Sequence, residues 1–343
     1  MLIGPFFVCI LMDMNTIAFF NVADYAKPII EKNLTKYGLK ADLFEFELAN
    51  ASETLDVSKY EIVSLAPMFN ISNEMLDRLS TCKLIALRTV GYQYIDLKYA
   101  SSKGITVTNA RYESTNVADF TIMLILIALR KAKISICKAL VNDFSLVGMM
   151  GKELHSMKVG VIGTGKIGSQ VIKELKGFGS EILCYDPHKN KTIEGLARYT
   201  TLEEIYKTCD IISFHCPLTK DNYHMVSYKE IAMMKKGVII VNTARGPLLD
   251  VEALIDGIES LRIGSLALDT IEGEDGVSHV DIGTEVDGLA RKKSIMYLKQ
   301  FANVLITQHY GFFTEEAVTA MIDCAFDAIE QYRNSQPILN KVN

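Results

Sequence analysis

The chain has 343 residues, 49% of them hydrophobic and 22% charged, and its 36 basic and 41 acidic residues give a formal net charge of −5. That length allows two domains with full cores, and the mildly acidic balance gives no electrostatic reason to expect nucleic acid or an anionic membrane as partner. The seven cysteines are odd in number and never form a C-x-x-C pair, so they read as reduced residues of a cytoplasmic protein.

The first apolar stretch, MLIGPFFVCILM, has no basic region before it, contains Pro5 and runs into Asp13. It is too short to span a bilayer. Residues 1–13 read as an upstream-start extension outside the fold, with a weak signal segment as the other reading. Strand-like runs follow at Ile17–Asn21, Leu43–Phe46, Ile62–Leu65, Leu84–Leu87 and Ile105–Val107, separated by helical patterns such as Ile29–Tyr37 and Glu74–Leu79. This is a small doubly wound unit without a glycine fingerprint. Val117–Lys133 then reads as one long helix. Its centre, from Phe120 through Ile122 to Ile127, is apolar on nearly every face, more than one domain core covers. A homodimer built on this region is the expectation.

The next segment, Lys158 to Asp186, carries the strongest signal. Val159–Ile162 reads as a strand that breaks into Gly163-Thr164-Gly165-Lys166-Ile167-Gly168; Val171, Ile172, Leu175 and Phe178 follow at helical spacing. A second strand, Ile182–Tyr185, stops on Asp186. Each part has a use in holding a dinucleotide. Gly163 permits a tight turn, Gly165 lets backbone approach a pyrophosphate, and Gly168 lets the helix lie close to the sheet. The amides and dipole at the helix start favour the anion. The Asp186 carboxylate can accept both ribose hydroxyls and would repel the 2′-phosphate of NADP, so NAD is favoured. Nearby His188, Lys189 and Lys191 leave room for some use of NADP.

Further strands read at Ile211–Phe214, Val238–Val241, Ser265–Leu268 and Val304–Thr307, making six with the first two. The last helical pattern, Glu315–Tyr332, has no place in that sheet and is expected to return to the first domain. In open α/β sheets ligands collect at the carboxyl ends of strands. There Arg245 follows one strand, Asp269 and Glu274 the next, and His309 the last. A guanidinium can clamp a carboxylate through two hydrogen bonds, and a histidine beside a carboxylate can exchange a proton near neutral pH. Taken singly, Arg245 is equally a surface ion-pair residue, Glu274 a solvated acid and His309 a structural histidine. Together beside a dinucleotide site they suit hydride transfer to a 2-oxo acid. His155, His188, His224 and His279 have no such company, and His215 reads either as lining the cofactor cleft or as structural. No metal site is expected.

The motifs GTGKIG, HCPLT, NTARGPLLD, LDTIEGE and NVLITQH, in this order, resemble the D-2-hydroxyacid dehydrogenases from Met14 onwards. TNARYESTNVADFTIMLILIALRKAK and GKELHSMKVGVIGTGKIG are most similar to the D-lactate branch, in particular the D-lactate dehydrogenases of vancomycin-resistance clusters. The resemblance implies two doubly wound parallel-sheet domains, a Rossmann NAD-binding domain over 112–310 inserted into a flavodoxin-like substrate domain over 14–111 and 311–343. It implies that NADH reduces a 2-oxo acid to the D-2-hydroxy acid, with Arg245 binding substrate, His309 as acid/base and Glu274, not Glu272, as its partner. Val90, Gly91 and Tyr112 would bind the substrate carboxylate. Cofactor contacts would come from Gly163, Gly165, Lys166, Ile167, Gly168, Asp186, Cys216, Pro217, Asn222, Thr243, Ala244, Arg245 and Asp269.

The chain departs from the family pattern at Gln308, where proline is usual, at Gly311, often alanine, and at Glu113-Ser114, where a Y-S-P form is common. None removes a catalytic group. Ala66 falls where some lactate enzymes carry a large aromatic, which opens a second reading: the same chemistry on bulkier branched or aromatic 2-oxo acids, unless Phe312 and Tyr92 fill the space. A third reading, a non-catalytic NAD(H)-sensing corepressor, lacks the disordered extensions such proteins use for docking.

Overall fold

A computed structural model describes residues 16–67, 70–274 and 292–343; the expectations for residues 1–13 and for His279 lie outside them. The chain divides into two compact units, one formed by residues up to Glu113 with Thr314–Asn343, the other by Ser114–Phe313.

The first unit holds β1 (Ile17–Phe19), α1 (Lys27–Tyr37), β2 (Asp42–Leu43), β3 (Ile62–Leu65), α2 (Asn73–Arg78), β4 (Leu84–Leu87), α3 (Leu97–Ser102), β5 (Thr106–Thr108) and the C-terminal helix Glu315–Arg333. Its strands pair in parallel in the order β2-β1-β3-β4-β5, the flavodoxin-like arrangement. Local chemistry starts and stops the helices. α1 has proline in its first turn and ends at Gly38, whose φ of 62° is a left-handed cap. Asp96 accepts the amides of Lys98 and Tyr99 at the start of α3. The C-terminal helix is capped by Thr314, carries Glu315 and Glu316 in its first turn, and buries Val318, Met321, Ile322, Ala325, Phe326 and Ile329 on one face. Phe326 stacks on Phe19 at 5.3 Å and on Tyr37 at 5.8 Å.

The second unit holds α4 (Thr115–Leu129), α5 (Ala132–Leu140), β6 (Lys158–Ile162), α6 (Lys166–Gly177), β7 (Glu181–Tyr185), β8 (Arg198–Tyr199), α7 (Leu202–Thr208), β9 (Ile211–Phe214), α8 (Tyr228–Met233), β10 (Val238–Asn242), α9 (Val251–Glu259), β11 (Ile263–Leu268), α10 (Lys293–Leu298) and β12 (Val304–Ile306). The parallel sheet runs β12-β11-β10-β9-β6-β7-β8, the doubly wound order with one strand added beyond the usual six. The strand missing from the sequence reading is β8, two residues paired on Leu183 and Cys184, too short to show a period. Val161, Ile211 and Val241 face one core, and Ile162, Ile212 and Ile240 the other, as alternation along buried strands requires.

One expectation is corrected here. The single helix over 117–133 breaks at Lys131, which sits at φ 53° while its ammonium donates to the Gly148 carbonyl at 2.7 Å. In α4 itself Phe120, Leu126 and Ile127 stay half-buried. Val117, Ala118, Thr121, Ile122, Leu124, Ile125 and Leu129 are buried, and Met123 is exposed. More uncovered apolar surface follows it, at Ile136, Leu140, Val141, Phe144, Leu146, Val147 and Met150.

Among the described residues no helix is long and apolar enough to cross a membrane, and the six described cysteines are free.

Candidate active site

The fingerprint glycines each meet a different constraint. Gly163 turns the chain out of β6 at φ +94°, and a Cβ there would lie 2.6 Å from the Cys216 amide nitrogen. At Gly168 a Cβ would come within 1.9 Å of the Gly163 carbonyl oxygen, so any side chain would push α6 off the turn. Gly165 is the opposite case. It caps α6, no side chain bonds the first amides, and a Cβ would meet nothing within 4 Å. Open space before the amides of a twelve-residue helix is a seat for a pyrophosphate. Lys166 is exposed and Ile167 half-buried at its edge.

Asp186, just past β7, is locked in place. One carboxylate oxygen accepts the Thr164 amide at 2.7 Å and the other the His188 amide at 2.8 Å; each keeps a lone pair for a ribose hydroxyl. Thr164 is held in turn by the Tyr199 hydroxyl at 2.8 Å and by Asn190, whose amide group donates to the Thr164 carbonyl at 2.8 Å. The Lys189 ammonium lies over the Tyr199 ring, 5.7 Å from its centroid. These residues fit a dinucleotide.

Other expected cofactor residues shape the loops around this turn. Asn222 donates to the Pro217 carbonyl at 2.7 Å and accepts the Thr219 amide at 2.7 Å, closing the loop that begins with Cys216. Burial pushes the Cys216 thiol up to about 11, which keeps it protonated at neutral pH. The Thr243 hydroxyl meets that of Thr121 at 3.0 Å. The Ala244 amide donates to Asn242. His215 bonds Ser213 through Nε2 at 2.9 Å, and burial lowers it to about 3. It is a neutral residue at the turn, with Nδ1 enclosed and without a partner.

Arg245, Glu274 and His309 stand on successive parallel strands β10, β11 and β12, in the loops at their carboxyl ends. His309 sits at φ +58°, and its Nδ1 donates to Glu274 Oε1 at 3.0 Å. Burial favours the neutral ring, but the hydrogen bond and charge of Glu274, with Asp269, outweigh burial and the Arg245 cation. The balance holds His309 above the ordinary histidine value. Arg245 is exposed, with Nη1 donating to the Ala244 carbonyl at 2.6 Å. Asp269 is buried, and its carboxylate accepts the Thr307 hydroxyl at 2.6 Å and the Tyr310 and Gly311 amides at 3.0 Å. Its evident work is to hold the turn that carries His309. A Cβ at Gly311 would stand 2.9 Å from Asp269 Oδ2 and 3.0 Å from the Phe120 ring, which accounts for glycine there.

In the first unit, Val90 and Gly91 follow β4. Their carbonyls accept from Asn109 at 2.9 Å and from the Thr89 hydroxyl at 2.7 Å, which fixes the loop's backbone. Tyr112 is half-buried near the end of that unit's first segment.

Two features escaped the sequence reading. His224 is not without company: its Nε2 lies 2.9 Å from both oxygens of Glu272. Gly246 carries the Ile271–Glu272 backbone directly on its α-carbon, since a Cβ would fall 2.2 Å from the Ile271 carbonyl carbon. The motif NTARG contains that glycine, but only the fold says what lies against it.

Residues 122–311 match the family model of the D-isomer specific 2-hydroxyacid dehydrogenase, NAD binding domain. An aromatic 2-oxoacid reductase of Clostridium sporogenes is 38% identical, over 87% of this chain and 90% of its own. A D-specific alpha-keto acid dehydrogenase of Enterococcus faecium is 34% identical, over 84% of this chain and 88% of its own. Among solved structures, the D-lactate dehydrogenase of Aquifex aeolicus complexed with NAD and lactic acid superposes with a TM-score of 0.84, at 30% identity, covering 95% of this chain and 98% of its own. The chain belongs to the D-isomer specific 2-hydroxyacid dehydrogenases, enzymes with an NAD-binding domain.

Proposed function

We propose that the protein reduces a 2-oxo acid to its D-2-hydroxy acid with His309 as acid/base. The observation that carries this is the His309–Glu274 hydrogen bond at 3.0 Å, with Arg245 close enough to oppose the ring's protonation. Reduced NAD, when bound, supplies the hydride for C2. With Nδ1–H committed to Glu274, Nε2 is the nitrogen that gives its proton to the forming alkoxide and takes it back in the reverse reaction. Arg245 clamps the substrate carboxylate; the family likeness also gives substrate-binding roles to the backbone of Val90 and Gly91 and to Tyr112. Gly163, Gly165, Gly168, Lys166 and Ile167 hold the pyrophosphate. Asp186 takes the ribose, and Cys216, Pro217, Asn222, Thr243, Ala244 and Asp269 line the remainder. We assign residues 14–111 and 311–343 to substrate and 112–310 to NAD.

Two substrate classes compete. Small acids such as pyruvate are supported by the lactate-enzyme likeness. Bulky aromatic acids are supported by the Clostridium relative and by Ala66, which lines a small recess in the first unit with Phe20, Asn21, Leu48, Leu65 and Ile71. We favour the lactate-like reading. Comparing kcat/KM for pyruvate, 2-oxoisocaproate and phenylpyruvate tests it: pyruvate leading supports it, and phenylpyruvate leading by tenfold or more reverses it.

NADH is expected to be preferred over NADPH without total exclusion. Asp186→Ser removes charged acceptors for the ribose, worth roughly tenfold to a hundredfold in kcat/KM with NADH, and removes the repulsion of a 2′-phosphate. The gap should narrow or reverse. Equal kcat/KM for the two cofactors in the unaltered enzyme would place the carboxylate elsewhere.

The protein is further read as a cytoplasmic homodimer. Seven exposed large apolar side chains within 136–150 are more than a solvated segment usually carries. Light scattering at micromolar concentration should give twice the chain mass, and Phe144→Glu with Leu146→Glu should give monomer. A wild-type monomer would refute this.

A further inference from the structure

We propose that Glu272 is a positioning residue: it pins the loop after β11 so that Glu274, two residues on, meets His309. The proposal rests on the acid/base reading given above.

The loop is held on two sides. On one, the Glu272 carboxylate accepts the Tyr223 hydroxyl at 2.8 Å and faces His224 Nε2 at 2.9 Å through both oxygens. Those donors are themselves fixed. The Tyr223 and His224 rings stack at 4.0 Å between centroids. His224 sits at φ +50° with its amide on the Pro247 carbonyl at 2.9 Å. His224 Nδ1 lies 3.9 Å from Asp250, whose carboxylate also caps α9 and accepts the Ser227 hydroxyl at 2.8 Å. On the other side the Ile271–Glu272 backbone rests on Gly246, the residue after Arg245. The Glu272 carboxylate thereby joins the segments of His224 and Glu274, and the backbone beside it seats them against that of Arg245.

Gly273, at φ +81°, lets the chain reverse between the two glutamates. Glu274 then closes the turn on itself, its Oε2 accepting the Ile271 amide at 3.2 Å while Oε1 takes His309 Nδ1 at 3.0 Å. The Glu274 amide on the Ile271 carbonyl at 3.2 Å and Lys292 on the Gly273 carbonyl close the turn itself; the Glu272 carboxylate ties that turn to the Tyr223–His224 segment. Without Glu272, Glu274 would lose its fixed aim, and burial with the Arg245 cation would then dominate His309, with only Asp269 opposing them. The pairing also separates two histidine–glutamate pairs: Glu272 is satisfied at His224 and does not compete for His309.

The test is the pH dependence of kcat/KM for 2-oxo acid reduction by the full-length enzyme. Glu274→Gln should move the alkaline fall in activity to lower pH. Glu272→Ala should move it in the same direction and lower kcat by ~10–10²-fold, the scale of an ångström-sized misplacement, while KM for NADH stays within about twofold. Glu272→Gln keeps an acceptor for Tyr223 and His224 and should recover most of the rate. In the double variant Glu272→Ala should add no further shift. A Glu272→Ala enzyme with lowered Tm and an unmoved pH limb would reduce the cluster to scaffolding and overturn the proposal. Should that variant fail to fold, Tyr223→Phe removes one bond of the set at an exposed ring; a smaller shift of the same sign supports the proposal and an unmoved limb overturns it. An unmoved limb in Glu274→Gln itself would defeat the acid/base reading, and the positioning role with it.

Discussion

His309→Gln is expected to lower kcat for 2-oxo acid reduction by ~10²–10⁴-fold, the usual contribution of a general acid/base group, while leaving NADH affinity unchanged. Glutamine keeps a hydrogen-bonding side chain of similar reach but holds no transferable proton at neutral pH. The fingerprint and Asp186 form a separate set of contacts around β6 and β7, so the cofactor seat should not notice the change. The wild-type pH profile follows with a definite sign. Reduction needs the imidazolium, so kcat/KM should be high below the His309 pKa and fall as pH rises through it. Oxidation of the hydroxy acid needs the neutral ring and should rise through the same pH. Because His309 is held above the ordinary value, the crossing should lie on the alkaline side of an unperturbed histidine, and Glu274→Gln should bring it down. Steady-state kinetics of the variant in both directions, with NADH binding by fluorescence, check each part. Near-wild-type turnover would remove His309 from the mechanism.

Arg245→Lys carries the second largest effect. Lysine keeps the charge but has no planar fork to grip both carboxylate oxygens. Losing one charge-assisted hydrogen bond is worth about 1.5–3 kcal/mol, or on the order of tenfold to a hundredfold in kcat/KM for the 2-oxo acid, with NADH binding little altered. The Arg245 backbone is fixed independently of its head group, since its carbonyl accepts the Asn242 side-chain amide at 2.9 Å, so the loop should survive the change. A drop confined to NADH affinity would assign Arg245 to the cofactor instead.

Much of the fold and of the proposed cofactor seat is legible because it rests on local chemistry. Ile62–Leu65, Leu84–Leu87 and Ile211–Phe214 are strands with the bounds their apolar runs predict. The fingerprint glycines obey constraints from within a few residues or from one adjoining loop. What the sequence conceals depends on contacts made over distance, or on conformations no residue type announces. β8 exists because two residues reach the edge of β7. Lys131 enters the left-handed region without being glycine and breaks a helix that apolar periodicity continues. Arg88 is buried and donates to the carbonyls of Phe20 and Asn21 at 2.7 and 2.8 Å, a role set by residues 67 and 68 positions away. Glu272 and His224 are 48 positions apart, so no motif joins them.

The most direct test of the central claim is the product. Purified enzyme, NADH and a 2-oxo acid should yield one equivalent of NAD per equivalent of 2-hydroxy acid, and chiral chromatography should find the D configuration alone. Protein that binds NADH yet oxidises none with any 2-oxo acid, or that forms the L isomer, would contradict it.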